Sequence, residues 1–395
     1  MPSPSPYDAV IIGAGAAGLM CALTAGQRGR RVLLLDHLDR AGAKILISGG
    51  GRCNFTNVGG AQAERYISAN PHFAKSALGR YTPADFIALV EAHDIAWHEK
   101  TLGQLFCDGS ARQIVAMLEE ECARAAVETR LLTRVTALSK ADEHFIVETP
   151  VGTHRAAALI VATGGPSIPK MGATGFAYDV ARQFGLKVVE PRPALVPLTL
   201  GPDDRLFETL SGVSLDVVAS VGKTQFREAA LFTHRGLSGP AILQISSYWR
   251  HGESVTLDLL PGIDAGTLLT DAKRARPNAE PRTILRECFP ARLADVLADR
   301  AGLSGPLVTH KDAALAAAGA RLNGWRFSPN GTEGFAKAEV TIGGVATDGL
   351  DQRSLMAKRV PGLHFIGEAV DVTGWLGGYN FQWAWASGRA AGEAV

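Results

Sequence analysis

Val10-Ile11-Ile12-Gly13-Ala14-Gly15-Ala16-Ala17-Gly18 decides how this chain folds. An apolar run, Asp8 to Ile12, stops at glycines spaced Gly-x-Gly-x-x-Gly, and Ala16 to Arg28 then reads as a helix. Val32-Leu33-Leu34-Leu35-Asp36 is a second apolar run, ending in an acid. Strand, glycine turn, helix, strand is a βαβ unit with a parallel pair. Gly13 permits the tight turn, Gly15 lets the backbone approach a pyrophosphate, and Gly18 lets helix and strand pack closely. The helix N-terminus adds unpaired N–H groups and about half a positive charge. Asp36 follows Gly18 at close to the ~20-residue spacing at which an acid meets ribose hydroxyls. The motif alone does not separate FAD from NAD.

Gly367-Glu368-Ala369-Val370-Asp371-Val372-Thr373-Gly374-Trp375-Leu376-Gly377-Gly378-Tyr379-Asn380-Phe381 lies near the other end. Its low side-chain bulk suits close approach of a large flat cofactor. A long dinucleotide lying across one domain needs both stretches.

Between them, Thr82-Pro83-Ala84-Asp85 has the signature of a helix start, and Ser110 with Gln113 has capping-box spacing for a helix to about Arg124. His144-Phe145-Ile146-Val147-Glu148 alternates as in an antiparallel meander, and Ala158 to Ala162 reads as a buried strand running into Thr163-Gly164-Gly165. After about residue 190 the composition shifts. Pro191, Pro193 and Pro197 punctuate the chain, Val213–Ser220 and Glu253–Leu260 look strand-like, and Ala265–Ala320 looks helical. The expected organisation is a first part of one domain over 1–190, an inserted β and helical domain over 191–336, and a return segment over 337–395.

A length of 395 residues allows two or three domains of ~150 residues. With 46% hydrophobic and 20% charged residues, a large core is available. The net charge of +1 gives no global pull toward nucleic acid or membrane. Cys21, Cys53, Cys107, Cys122 and Cys288 are odd in number and include no Cys-x-x-Cys, so neither a disulfide framework nor a zinc site is indicated. No signal-peptide pattern and no apolar run of ~20 residues is present, so a soluble cytoplasmic protein is the default expectation.

The string Lys44-Ile45-Leu46-Ile47-Ser48-Gly49-Gly50-Gly51-Arg52-Cys53-Asn54-Phe55-Thr56-Asn57 adds a second cofactor element. Backbone N–H groups of the triple glycine can meet phosphate or a flavin ring, Arg52 can balance diphosphate charge, and Asn54 and Asn57 can donate and accept. With Gly172–Tyr178, Thr233–Pro240, Val340–Val345 and Gly377–Gln382, this string resembles the BaiN/YhiN-like FAD flavoproteins, also called aminoacetone-oxidase-type or NAD(P)/FAD-dependent oxidoreductases. The resemblance runs from about residue 7 to 392.

That resemblance implies an α/β fold: a Rossmann-like FAD-binding domain of glutathione-reductase type, with an inserted β-barrel-like and helical-cap substrate domain. It implies that Gly13, Gly15, Ala16, Ala17 and Gly18 hold the pyrophosphate and Asp36 the adenosine ribose. Lys44, Ser48, Gly49, Gly50, Gly51, Arg52 and Asn54 then line diphosphate and flavin, and Val135, in a strand-like Thr133–Leu138, touches adenine. Thr163 and Gly164 pass beneath the cofactor, and Gly367, Glu368 and Asp371 meet diphosphate and ribitol. Gly377, Gly378, Tyr379, Asn380 and Phe381 start a last helix under the flavin pyrimidine.

A flavin passes the hydride itself, so the protein supplies orientation and a proton donor. Tyr379 and His234 are the candidates, each weighed against plain packing or a structural loop role. Arg235 can anchor an anionic substrate. Cys53 reads as a buried packing residue, without a second cysteine near it in sequence. The leading expectation is hydride transfer from NAD(P)H through FAD to an activated C=C of a small molecule. The nicotinamide docks transiently, because no second Gly-x-Gly-x-x-Gly exists. The alternatives are an O₂-dependent amine or amino-ketone oxidase, a uridine reductase acting on rRNA, and a flavin-loaded binding module. Arg274, Arg276, Arg282, Arg286 and Arg292 could form an RNA face, but interleaved Asp271, Glu280, Glu287 and Asp295 favour a solvated helix surface. Oligomeric state is left open.

Overall fold

β1 (Tyr7–Ile12) is buried on both faces, with Ala9, Val10 and Ile11 inaccessible to solvent. Continuous burial is why it reads as an unbroken apolar run: interior parallel strands face helices on both sides. α1 (Ala16–Gln27) follows, and β2 (Val32–Leu35) pairs parallel with β1, Ile11 opposite Leu34. These coordinates are a computed structural model that describes residues 6–201, 204, 207 and 209–395. The chain forms two units, Met1–Arg192 with Val340–Val395, and Pro193–Glu339.

In the first unit, β3 (Asn54–Asn57) and β4 (Tyr66–Ile67) carry the chain past the cofactor strings. α2 (Pro83–Ala92) starts at the Thr82–Asp85 capping box with proline in its first turn. β5 (Gln104–Cys107) pairs antiparallel with β3. α3 (Ala111–Arg124) starts at the Ser110–Gln113 box. β6 (Glu128–Arg130) joins the main sheet beside β2. β7 (Ala137–Ala141), β8 (His144–Thr149) and β9 (Gly152–Val161) form the antiparallel meander. β9 serves three partners: it pairs parallel with β1, Ile11 opposite Ile160, while Gly152–Ala156 pairs with β8 and Leu159–Val161 pairs parallel with the returning strand Leu363–Phe365. The sheet order β6-β2-β1-β9-β8-β7 therefore brings the C-terminal segment home beside β9. This is a Rossmann-type sheet, and its ligand crevice lies at the carboxyl ends of β1 and its neighbours.

α4 (Phe176–Gln183), β10 (Val340–Val345), β11 (Leu363–Phe365), β12 (Thr373–Gly374) and α5 (Tyr379–Ala394) complete the unit. α5 lies against α1 through small residues: a Cβ at Gly388 would come within 2.5 Å of the Ala17 carbonyl oxygen. Trp383 and Trp385 fill the core beneath it.

One expected strand is corrected. Thr133–Leu138 is not a strand; β7 begins only at Ala137. The Thr133 N–H donates to the Asp36 carbonyl (2.7 Å) and the Leu132 N–H to that of Leu38 (2.8 Å). Those bonds tie the segment before Val135 to the chain leaving β2, outside the meander.

In the second unit seven short strands form one antiparallel sheet, from Trp325–Phe327 at one edge to Gly331–Thr332 at the other. The two edge strands are near neighbours in sequence, so the sheet must curl until its edges approach. Helices Ala265–Ala275, Pro281–Cys288, Ala291–Ala301 and Asp312–Asn323 accompany it. Among the described residues, no helix is long and apolar enough to cross a membrane.

Candidate functional site

Gly13 sits at φ +108°, and a Cβ there would come within 2.6 Å of the Ala162 carbonyl oxygen. A Cβ on Gly18 would fall 1.8 Å from the Gly13 carbonyl oxygen. Gly15, by contrast, has nothing within 4 Å of its Cβ position. It caps α1 without a side-chain hydrogen bond, and no acid occupies the first turn. Among the described residues, no carboxylate accepts from the first N–H groups of α1, from Ala16 and Ala17 onward. Asp36 is fixed by accepting the Ala14 N–H (2.7 Å) and the Leu38 N–H (2.9 Å), which locks the acid at the end of β2. A Cβ at Gly367 would lie 2.8 Å from that of Ala17, so the C-terminal stretch passes directly beside this turn.

Lys44 lies on the short helix Ala43–Ile47. Its Nζ donates to Ser167 Oγ (2.6 Å) and Glu368 Oε2 (2.8 Å). Glu368 Oε1 accepts from Ser167 Oγ (2.7 Å) and from the Thr341 N–H (3.0 Å). The Lys44 charge is thus answered inside the protein, and four segments are pinned together. Ser48 donates to the Ile45 carbonyl (2.8 Å). Gly49, Gly50 and Gly51 all take positive φ, and the Cβ positions of Gly50 and Gly51 meet open space. Arg52 is exposed. Asn54 faces the Gln104 amide at 3.0 Å, turned into the protein.

Cys53 is buried at φ +52°. The rung pairing Asn54 with Phe106 puts Cys107 next to it, a neighbour invisible in sequence. Burial pushes both thiols up, Cys107 to about 11, so neither is a ready nucleophile.

Asn57 joins the two cofactor strings. Its Nδ2 donates to the Gly377 carbonyl (2.9 Å), and a Cβ on Gly378 would come within 2.3 Å of the Thr56 carbonyl oxygen. Gln382 accepts from Thr56 Oγ1 (2.6 Å), adding a second tie. Asn380 closes its own turn, accepting the Gly374 N–H (2.8 Å) and donating to the Gly374 carbonyl (2.9 Å). Phe381 stacks on Trp385 at 5.7 Å. α5 begins without a side-chain cap and without an acid in its first turn, so its N-terminus is also open to an anion. Tyr379 opens that helix and is 2% exposed; Arg65 Nη1 donates to its phenolic oxygen. Asp371 is buried and accepts the Ala69 N–H (2.9 Å), and burial raises its carboxyl.

Among the described residues, three buried hydroxyls find no partner: Thr163 Oγ1, Tyr178 OH and Thr341 Oγ1. A Cβ at Gly165 would land 2.6 Å from Thr341 Oγ1 and 2.7 Å from Tyr178 OH. Gly164 beside them takes φ +69°. Unsatisfied buried hydroxyls cost free energy unless a polar ligand or water completes them. Together with two open helix N-termini and glycine backbone facing free space, they make a cradle that fits FAD. Ser167 and Arg65 escaped the sequence reading, because neither sits in a glycine string or a spaced motif; Tyr178 and Thr341 lie in the strings Gly172–Tyr178 and Val340–Val345, but nothing local marks their hydroxyls.

In the second unit His234 is exposed on the turn leading to strand Gly236–Ser238, where Thr233 Oγ1 accepts the Arg235 and Gly236 N–H groups. Arg235 pairs with Glu333 at 3.6 Å. The helix arginines are matched by acids: Arg274 with Asp271 (2.8 Å), Arg276 with Glu287 (2.6 Å), Arg282 with Glu280 (3.0 Å) and Arg286 with Asp295 (2.8 Å). Arg292 donates to the carbonyls of Thr209 and Ser211. With four of the five paired to acids and only Arg292 bonded to carbonyls, they do not form an unneutralised basic face.

The family described as HI0933-like protein Rossmann domain matches residues 7–394. A protein of Escherichia coli K12 named ribosomal RNA dihydrouridine synthase is 51% identical over 392 residues, covering 98% of this chain and 97% of that one. A Clostridium scindens protein named 3-dehydro-bile acid delta(4,6)-reductase is 29% identical, covering 98% of each chain. The solved 3-ketosteroid-delta4-(5alpha)-dehydrogenase of Rhodococcus jostii RHA1 superposes with a TM-score of 0.52 at 16% identity, covering 98% of this chain and 96% of that one, and so shares its fold. The expectation of an FAD-dependent oxidoreductase stands, and the chain belongs to the HI0933-like Rossmann-domain family.

Proposed function

We propose that this protein reduces the C5=C6 bond of uridine in ribosomal RNA, as an FAD-dependent reductase. The observation that carries the reading is end-to-end identity of 51% to a protein named for that product. It replaces the small-molecule acceptor of the leading sequence expectation with RNA and keeps the chemistry. Uracil C5=C6 is conjugated to the C4 carbonyl, as a delta(4) bond is to a 3-oxo group, so both named reductions act on an activated C=C.

FAD, when bound, supplies the hydride. Gly13 to Gly18 and the N-terminus of α1 hold its pyrophosphate, and Asp36 its ribose. Gly49–Gly51 and Gly377–Tyr379 line the flavin, with Thr163 and Gly164 beneath. α5 directs its N-terminus at the negative charge of the reduced ring. Electrons come from NAD(P)H docking transiently. Tyr379 donates the proton to C5. The exposed His234 is the second candidate, and the inserted unit 193–339 selects the acceptor. Because four of the five helix arginines there are paired with acids, RNA is held chiefly by other surface.

The test is quantitative nucleoside mass spectrometry of rRNA from cells lacking the gene, then of the same rRNA after incubation with purified protein and NADPH or NADH. Dihydrouridine should be lost in the first and regained in the second. An rRNA digest unchanged by the deletion rejects the reading.

A further inference from the structure

Arg65 stands immediately before β4, which pairs antiparallel with β12. The Trp375 N–H donates to the Arg65 carbonyl (3.0 Å), extending the ribbon by one rung. Arg65 is therefore fixed beside the segment that enters α5. Its guanidinium lies 5.5 Å from the ring centroids of both Trp375 and Tyr379, and Nη1 donates to the Tyr379 phenolic oxygen. Among the described residues no carboxylate lies within ion-pair distance of it, whereas Lys44 has Glu368. A half-buried guanidinium held on two aromatic faces without a counter-ion is costly to desolvate, unless an anion forms beside it.

The phenol is enclosed by few groups. The Tyr66 ring meets the Tyr379 ring edge-on at 6.0 Å, and its hydroxyl donates to the main-chain carbonyls of Gly60 (2.6 Å) and Tyr379 (3.2 Å), not to the phenol. Trp375 lies edge-on at 6.5 Å. The Cβ position of Gly59 is 3.1 Å from the phenolic oxygen and 3.2 Å from Arg65 Nη1. Arg65 is the one charged side chain among these neighbours. An arginine can only donate, so the contact uses a lone pair of the phenol and leaves its hydrogen for another acceptor.

We propose that Arg65 is the positioning residue of the proton donor Tyr379. It holds the phenol by its oxygen, leaves the O–H free for the acceptor carbon, and supplies the charge that stabilises the phenolate. This rests on the uridine-reduction reading. Once C6 has accepted the hydride, the electron pair of the former double bond resides on the enolate of C4–C5. That pair takes the Tyr379 proton, forming the C5–H bond as the phenolic O–H bond breaks. Water returns a proton to the phenolate. Burial raises the Tyr379 hydroxyl and Arg65 opposes that rise.

The test is ¹⁹F NMR titration of the flavin-loaded protein labelled with 3-fluorotyrosine, which brings phenol ionisation into a range the fold tolerates. The chain has six tyrosines, and Tyr379→Phe assigns the resonance in question. Arg65→Met should raise the Tyr379 midpoint by on the order of one pH unit or more. Arg65→Lys should stay near wild type. Gly59→Ala, whose methyl wedges the pair apart without replacing either residue, should shift it in the same direction and covers the case in which Arg65→Met fails to fold. Dihydrouridine formation should fall on the order of 10²-fold in Tyr379→Phe and Arg65→Met, with partial recovery in Arg65→Lys. An unmoved midpoint in both Arg65→Met and Gly59→Ala overturns the proposal. So does a wild-type Tyr379 that stays protonated to the alkaline limit, or full turnover by Arg65→Met. The titration needs neither RNA nor turnover, so an rRNA pool unaffected by gene deletion would reject the substrate while leaving the Arg65–Tyr379 coupling to be judged separately.

Discussion

Gly15→Ala and Gly18→Ala should separate cofactor binding from folding. The two glycines belong to one motif and differ in what a methyl would meet. At Gly18 a Cβ falls 1.8 Å from the Gly13 carbonyl oxygen and 3.3 Å from the Ala162 Cβ, so α1 must retreat from the β1 turn. Overpacking against backbone costs about 3 kcal/mol or more, the top of the usual range. At 2–4 °C per kcal/mol, the apo-protein should melt roughly 10 °C lower. At Gly15 nothing lies within 4 Å and φ is −83°, which alanine adopts freely. Alanine is a poorer N-cap than glycine by about 0.5–1 kcal/mol, and the stiffer unfolded chain returns a similar amount, so the net is within about 0.5 kcal/mol. The methyl does, however, project into the space assigned to the pyrophosphate. FAD affinity should drop at least ~100-fold, about 2.8 kcal/mol. Apo melting curves and flavin-fluorescence titrations read both quantities. A Gly15→Ala protein that binds FAD within about threefold of wild type would show that the pyrophosphate does not pass over Gly15. A Gly18→Ala protein with an unshifted apo melt would refute the close approach of helix and turn.

Three further outcomes follow from the same geometry. Lys44→Met should lower stability by about 1–2 kcal/mol in urea titration, because the Glu368 carboxylate keeps Ser167 and the Thr341 N–H but loses its cation in a partly buried site; an unchanged midpoint would mean the pair is solvent-screened. Ser110→Ala should cost about 1 kcal/mol by removing the side-chain cap of α3, with flavin affinity unaffected. For Asp371, burial raises the folded-state carboxyl above its unfolded value of 3.8, so between those values the native state holds a proton that the unfolded chain has released. Apo-protein stability from this group therefore falls as pH rises through that window, and Asp371→Asn should remove the fall; parallel pH profiles for the two proteins would contradict it.

The βαβ start, both capping boxes and the buried β9 were legible because each depends on local pattern: an apolar run, a cap three residues from its partner, a glycine spacing. Val135 was misread as part of a strand because alternation cannot show that Leu132 and Thr133 give their N–H groups to the end of β2. The Cys53–Cys107 neighbourhood, the Lys44–Ser167–Glu368 link and the pairing of Arg65 with Tyr379 were hidden for the same reason. Each joins residues far apart in the chain, and no short-range signal marks such a partner.

The polar residues singled out from sequence divide by what their side chains do. Asp36 accepts two backbone N–H groups, Asn57 and Asn380 donate to carbonyls of the C-terminal stretch, and Glu368 is surrounded by protein donors. These side chains shape backbone, and it is backbone, at Gly15, Gly50 and Gly51, that is left facing open space. Recognition of the cofactor through backbone is tolerant of side-chain identity but intolerant of displacement, so disturbing these polar residues should chiefly lower flavin content. On the proposed reading the chemistry then depends on two groups near α5: the Tyr379 hydroxyl hydrogen and the Arg65 charge. Substitutions there should leave a yellow protein whose proton transfer has changed. A flavin-replete Arg65→Met enzyme with slowed product formation would place the boundary between scaffold and chemistry at this ribbon, and a colourless one would move Arg65 to the scaffold.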